Sequence, residues 1–127
     1  MRQVRTQDLI GPALDWAVAK AEGVEKVSRG RLGSAYVWDE CGRPRSFSPS
    51  TDWDWGGPLI EAHGVEVLCN VSAEQAARFK DARPDWFACL NRGRGNHWHG
   101  QTPLIAAMRC IVAAKLGETV DVPSELI

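Results

Sequence analysis

The chain has 127 residues, 44% of them hydrophobic, with 15 basic against 16 acidic side chains. That length suits one domain, residues 1–127, and lets roughly two thirds of the unfolded surface be buried, so neither a metal nor a disulfide is needed to build a core. The balanced charge argues against a dedicated nucleic-acid or membrane-surface protein, both of which usually carry a strong positive excess.

Met1 to Gln7 hold no apolar stretch of signal-peptide length. The longest apolar run, Leu104 to Leu116, is interrupted by Arg109 and Lys115, and it is shorter than the roughly 20 residues that span a bilayer. The expectation is a soluble, intracellular chain with no membrane partner. Cysteines stand at 41, 69, 89 and 110 without a Cys-x-x-Cys pair, so they read as free thiols.

In chain order, the first element is an amphipathic helix. Ile10, Ala13, Leu14, Ala17, Val18 and Ala21 form one apolar stripe, with Pro12 in the first turn and Gly23 at the stop. Trp16 lies roughly 130° from the centre of that stripe, so it either meets a second element or faces a groove. Ala35–Trp38 is a β-prone run. Ser50 to Gly57 has turn chemistry, and Pro58 opens a short helix that stops at Gly64. Val65, Val67, Cys69 and Val71 alternate as in a half-buried strand. Ser72 with Gln75 makes a capping box for a helix reaching about Lys80, and Trp86–Leu90 is again β-prone. The last helix has Thr102 as N-cap, Pro103 at its first position and Gly117 as its stop. Apolar residues occupy every side of it, which places it at the centre of the domain. Val120 and Val122 suit a short edge strand before Pro123. The sum is an α+β domain: a small antiparallel sheet packed around a buried C-terminal helix, plus the N-terminal helix.

Three stretches, ALDWAVAK from Ala13, SPSTDWDWGGPLIE from Ser48 and TPLIAAMRCIVAAKLGETVDVPSEL from Thr102, resemble the NinX-like proteins of bacteriophages. The last is the most specific, because an Arg and a Cys interrupt an otherwise apolar helix. The resemblance implies a temperate-phage or prophage accessory protein working in the cytoplasm of a bacterial host. It implies no activity. The segments from Gly30 to Phe47 and from Val71 to Gln101 lie outside it.

Four groups of residues are candidates for chemistry. The centre of the chain sets Thr51, Asp52, Trp53, Asp54, Trp55 and Gly57 in turn sequence, and loops seldom keep large aromatics unless these pack or bind something. The plainer account is an Asx turn with Trp55 filling the core. Arg109, on the buried helix, needs a carboxylate or a bound anion. Asp15, Asp52, Asp54 and Glu61 are the available partners, and a buried Arg109 paired with Asp52 is expected. His97 and His99 would project from one strand face as half of a metal site, with His63, Cys69 or Asp85 as third ligands, but the spacing lacks the clustering of structural zinc. No metal and no cofactor is expected. Arg92 and Arg94 with Trp98 form a glycine-rich basic loop able to hold single-stranded nucleic acid, against the plainer reading of a solvated hairpin tip.

No nucleophile–base pair stands out, and the buried helix would leave Cys110 inert. No catalytic constellation is identified, so the case for an enzyme is thin and the question stays open. The leading function is a binding module for a host or phage protein, with Asp15, Trp16, Thr51, Asp52, Trp53, Gly57, Glu61 and Arg109 as candidate binding residues. A small-molecule or anion binder, conceivably an enzyme, built on the Asp52/Trp53/Arg109 region is the second reading. A single-strand nucleic-acid binder is the third. A homodimer is compatible with the pattern, and nothing requires one.

Overall fold

The computed structural model describes residues 1–24, 27–29, 35–38, 44–90 and 96–127. Along these run β1 (Arg2–Arg5), a 3₁₀ turn (Thr6–Asp8), α1 (Gly11–Ala21), β2 (Val27–Arg29), β3 (Ala35–Trp38), β4 (Pro44–Ser46) and α2 (Trp53–His63). Then come β5 (Glu66–Val71), α3 (Ala73–Arg78), β6 (Asp85–Cys89), β7 (Trp98–Gly100), α4 (Pro103–Leu116), β8 (Thr119–Val122) and a second 3₁₀ turn (Ser124–Leu126). The fold is a single compact α+β domain. Its strands are antiparallel but divided among three small sheets: β1–β8, β2–β3–β4 and β5–β6–β7.

Helix α4 is the axis of the core. Thr102 caps it, its hydroxyl accepting the Ile105 N–H at 3.1 Å, and Pro103 fills the first position, where a missing N–H costs nothing. Leu104, Ala106, Ala107, Met108, Cys110, Ile111 and Val112 are all buried. The small residues let neighbours approach closely. At Gly100 the end of β7 runs so near the first turn of α4 that a Cβ there would meet the Ala106 nitrogen at 2.6 Å. Helix α1 packs its Leu14, Ala17 and Val18 into the same cluster, and full burial of such a Leu or Val contributes roughly 1.5–3 kcal/mol.

Besides the division into three sheets, helix α2 and strand β5 depart from the sequence expectation. Helix α2 starts at Trp53, five residues before the expected opening at Pro58, which lies inside it. Its start is set by Asp52, whose carboxylate accepts the Asp54 N–H at 2.9 Å as an N-cap. Gly56 is in the helix because nothing larger fits: a Cβ would sit 2.5 Å from the Pro49 carbonyl oxygen and 2.6 Å from Leu104 Cδ2. In β5, Cys69 is exposed rather than turned to the core. The ladder to β6 slips between Cys69 and Val71, and such a bulge breaks the strict inward–outward alternation.

The chain ends are tied to the core through β1 and β8, paired from Arg2↔Val122 to Arg5↔Thr119. Val120 and Val122 are buried and their neighbours exposed, as the alternation predicts. The Thr6 hydroxyl donates to the Gly117 carbonyl at 2.7 Å, which occupies the C-terminal end of α4. No helix of the described residues is long and apolar enough to cross a membrane.

Candidate functional site

The candidate residues fall into three places. Thr51, Asp52, Trp53, Gly57 and Glu61 come together on α2 and the turn before it. Trp53, Gly57 and Glu61 are four apart, so they follow one face of the helix. Trp53 is 56% exposed, and its ring reaches within 3.9 Å of where a Gly57 Cβ would stand. Thr51, Asp54 and Glu61 are exposed around it. Among the tryptophans whose side chains are described, Trp53 alone is exposed. Trp16 is buried, and Trp55, Trp86 and Trp98 are half-buried against the core. Trp55 meets Phe47 edge-on at 5.1 Å and lies under Arg45, so it does fill the core side of the segment.

Asp15 and Trp16 belong to the framework behind this face. Asp15 is 5% exposed, and its Oδ1 accepts the Ser50 N–H at 2.8 Å. It thereby ties α1 to the turn that launches α2, and joins two of the family-like stretches. Burial pushes its carboxyl up to about 6, with the Ser50 hydroxyl and N–H pulling the other way. That hydroxyl acts through proximity, since Ser50 Oγ is buried without a hydrogen bond of regular geometry. Trp16 lies against a recess lined by Lys20, Leu116, Thr119 and Asp121, with the Lys20 ammonium 5.4 Å from its ring.

Arg109 is in a third place, and the expected ion pair with Asp52 is absent. Leu104 points to Gly56 of α2. Five residues on, at 100° each, a side chain is turned about 140° away. The half-buried guanidinium instead donates from Nε to the Leu9 carbonyl at 2.9 Å and from Nη1 to the His99 carbonyl at 2.6 Å. Burial lowers its pKa and the charge of Asp8 opposes this, while Asp8 itself is bonded by Arg5 at 2.9 Å. The Gln7 side chain reinforces the same corner, donating to the His99 carbonyl at 2.9 Å and accepting the His99 N–H at 3.1 Å. Beside Arg109 opens a cleft of about 250 Å³, lined among others by Ile10, Asp85, His99, Gln101 and Ile105. In it the His99 ring meets Asp85 at 3.2 Å, and Asn70 donates to the other Asp85 oxygen at 2.9 Å. These hydrogen bonds hold the Asp85 carboxyl below its ordinary range, Asn70 contributing most.

Sequence reasoning singled out Arg109 and set Asp85 beside His99, but it had no means of bringing them together at this corner. Its acceptors are the backbone carbonyls of Leu9 and His99, and every residue has one.

The remaining candidates are quickly placed. His97 and His99 do share a side, both flanking Phe87 at 5.3 and 5.9 Å. Among the described residues no group of three or more His, Cys, Asp or Glu is placed to hold a metal. Arg92, Arg94 and Cys41 lie outside the described residues. Cys69, Cys89 and Cys110 are free thiols, and burial, with Cys89 nearby, pushes the Cys110 thiol up to about 11, far from the thiolate that reacts.

The family model described as bacteriophage P22, NinX matches residues 5–115. The chain belongs to the phage NinX family. The match runs from the end of β1 to the last turn of α4, so it takes in the Trp53 face, the Asp15–Ser50 link and the Arg109 cleft. The part of the resemblance from Leu116 to Leu126 lies beyond it. No curated protein matches the chain.

Proposed function

We propose that this phage accessory protein is a binding module without catalysis of its own, and that it holds a host or phage protein on the outer face of α2. The observation that carries the reading is Trp53, an indole 56% exposed on a helix capped by Asp52. A side chain of that size left in water costs free energy and adds nothing to the core. Tryptophan is the residue most enriched among the few that dominate protein–protein binding. The helix under it is fixed by the Asp52 cap and by the Gly56–Leu104 contact, so little order has to be gained on binding. Asp54 and Glu61, exposed on either side along the chain, make the surround acidic. The complementary partner surface is an apolar pocket rimmed by basic groups.

The test is affinity purification from phage-infected cells with the wild-type chain and with Trp53→Ala. The reading expects a specific protein to be retained by the wild type and lost with Trp53→Ala, while the thermal unfolding of the two chains stays alike. Retention independent of position 53, or recovery of nucleic acid alone, would overturn it.

A further inference from the structure

We propose that the cleft beside Arg109 is a binding site for a small carboxylate that carries a short aliphatic group. It is separate from the Trp53 face and does not depend on it, because Arg109 projects from the other side of α4. A guanidinium has five N–H donors and cannot lose its proton in a protein. Two donors are spent on the Leu9 and His99 carbonyls, which leaves one on Nη1 and two on Nη2. No carboxylate lies within ion-pair distance of Arg109 among the described residues: Asp8 is held by Arg5, and Asp85 by Asn70 and His99.

The two backbone acceptors do more than satisfy the group. They fix the plane of the fork before any ligand arrives, which is the arrangement a bidentate carboxylate needs. Half-burial strengthens the attraction, since less water stands between the charges than at an open surface. The first turn of α4, entering the cleft through Ile105 with Gln101 just before it, adds the positive end of a 14-residue helix. The aliphatic part of the ligand follows from the walls. Ile10 is 57% exposed, against the habit of its residue type, and it faces Ile105 and Pro84 around the same space. A bare inorganic anion would leave those side chains in water. A carboxylate with a branched hydrocarbon tail covers them and leaves its charge on Arg109. Both a free short-chain acid and the terminal carboxylate of a peptide ending in leucine have this chemistry.

The test is a titration followed by NMR, reading the Arg109 Nε–H and the methyls of Ile10 and Ile105, with isovalerate, isovaleramide, inorganic phosphate and N-acetyl-glycyl-leucine as probes. Saturable shifts of all three signals with isovalerate, and none with the amide, are expected. The acetylated dipeptide binding more tightly than isovalerate assigns the peptide source, and its exclusion assigns the free acid. Arg109→Gln should weaken binding by about tenfold or more, the usual worth of a hydrogen bond to a charged group. Should that variant fail to fold, Ile10→Glu gives the same information from an exposed position: its carboxylate at the mouth repels the ligand. Equal binding of the amide, binding of phosphate in preference to isovalerate, or isovalerate shifts unchanged in Ile10→Glu would each overturn the proposal.

Discussion

Asp15 is a carboxylate placed in the core with one strong donor and no cation bonded to it among the described residues. An acid whose folded pKa is raised holds its proton more firmly when folded than when unfolded. Its contribution is therefore fully present below the unfolded value of 3.8 and is lost as pH rises through about 6. With one pKa unit worth about 1.4 kcal/mol, this group alone should lower stability by up to roughly 3 kcal/mol between about pH 4 and pH 7. Asp15→Asn keeps the acceptor for Ser50 and removes the charge, so it should flatten that slope and match or exceed the wild type at neutral pH. Urea unfolding across the pH range checks this, and an unchanged slope in Asp15→Asn would count against it. Two neighbouring glycines make a second residue-scale pair. At Gly56 a Cβ meets backbone oxygen at 2.5 Å, whereas at Gly57 it meets only the Trp53 ring at 3.9 Å. Gly56→Ala should cost roughly 1–3 kcal/mol by overpacking. Gly57→Ala should gain about 0.5–1 kcal/mol from helix propensity. Thermal unfolding of both variants gives opposite signs if the close approach to Pro49 is real.

Most elements were legible because their signals are local. Thr102, Pro103 and Gly117 bound α4 where cap chemistry puts them, and Ser72 with Gln75 forms the reciprocal capping box that starts α3. Thr102→Ala should accordingly cost about 0.5–2 kcal/mol, measurable by chemical denaturation, and a neutral result would deny the cap its role. Helix α2 begins earlier than its local signals suggest, and the reason is physical. Gly56, Gly57 and Pro58 are breakers on local grounds, yet the contact of Gly56 with Pro49 and Leu104 overrides propensity. Arg109 departs from its expectation for another reason. Its need for partners was legible, but it is half-buried rather than buried, and the acceptors are main-chain carbonyls instead of the expected Asp52. Rotation along α4 then separates Arg109 from the α2 segment that carries Asp52, so one expected site became two.

At the scale of the whole molecule, the core around α4 leaves the indole of Trp53 exposed on α2 and the fork of Arg109 preset in its cleft. The fold class was readable from periodicity, because the buried helix and the alternating valines of β8 declare their environments. The split into three small sheets was not, since which strands pair depends on contacts far apart in the chain. Membership in the phage NinX family fits an accessory role and leaves the activity to the surface. The most direct measurement is site-specific photocrosslinking in phage-infected cells, with a benzoylphenylalanine placed at position 53, at position 61 or, as a control on exposed α3, at position 78. The account predicts one discrete protein adduct from positions 53 and 61 and none from position 78. The absence of any adduct at 53, or equal adducts from all three positions, would contradict it.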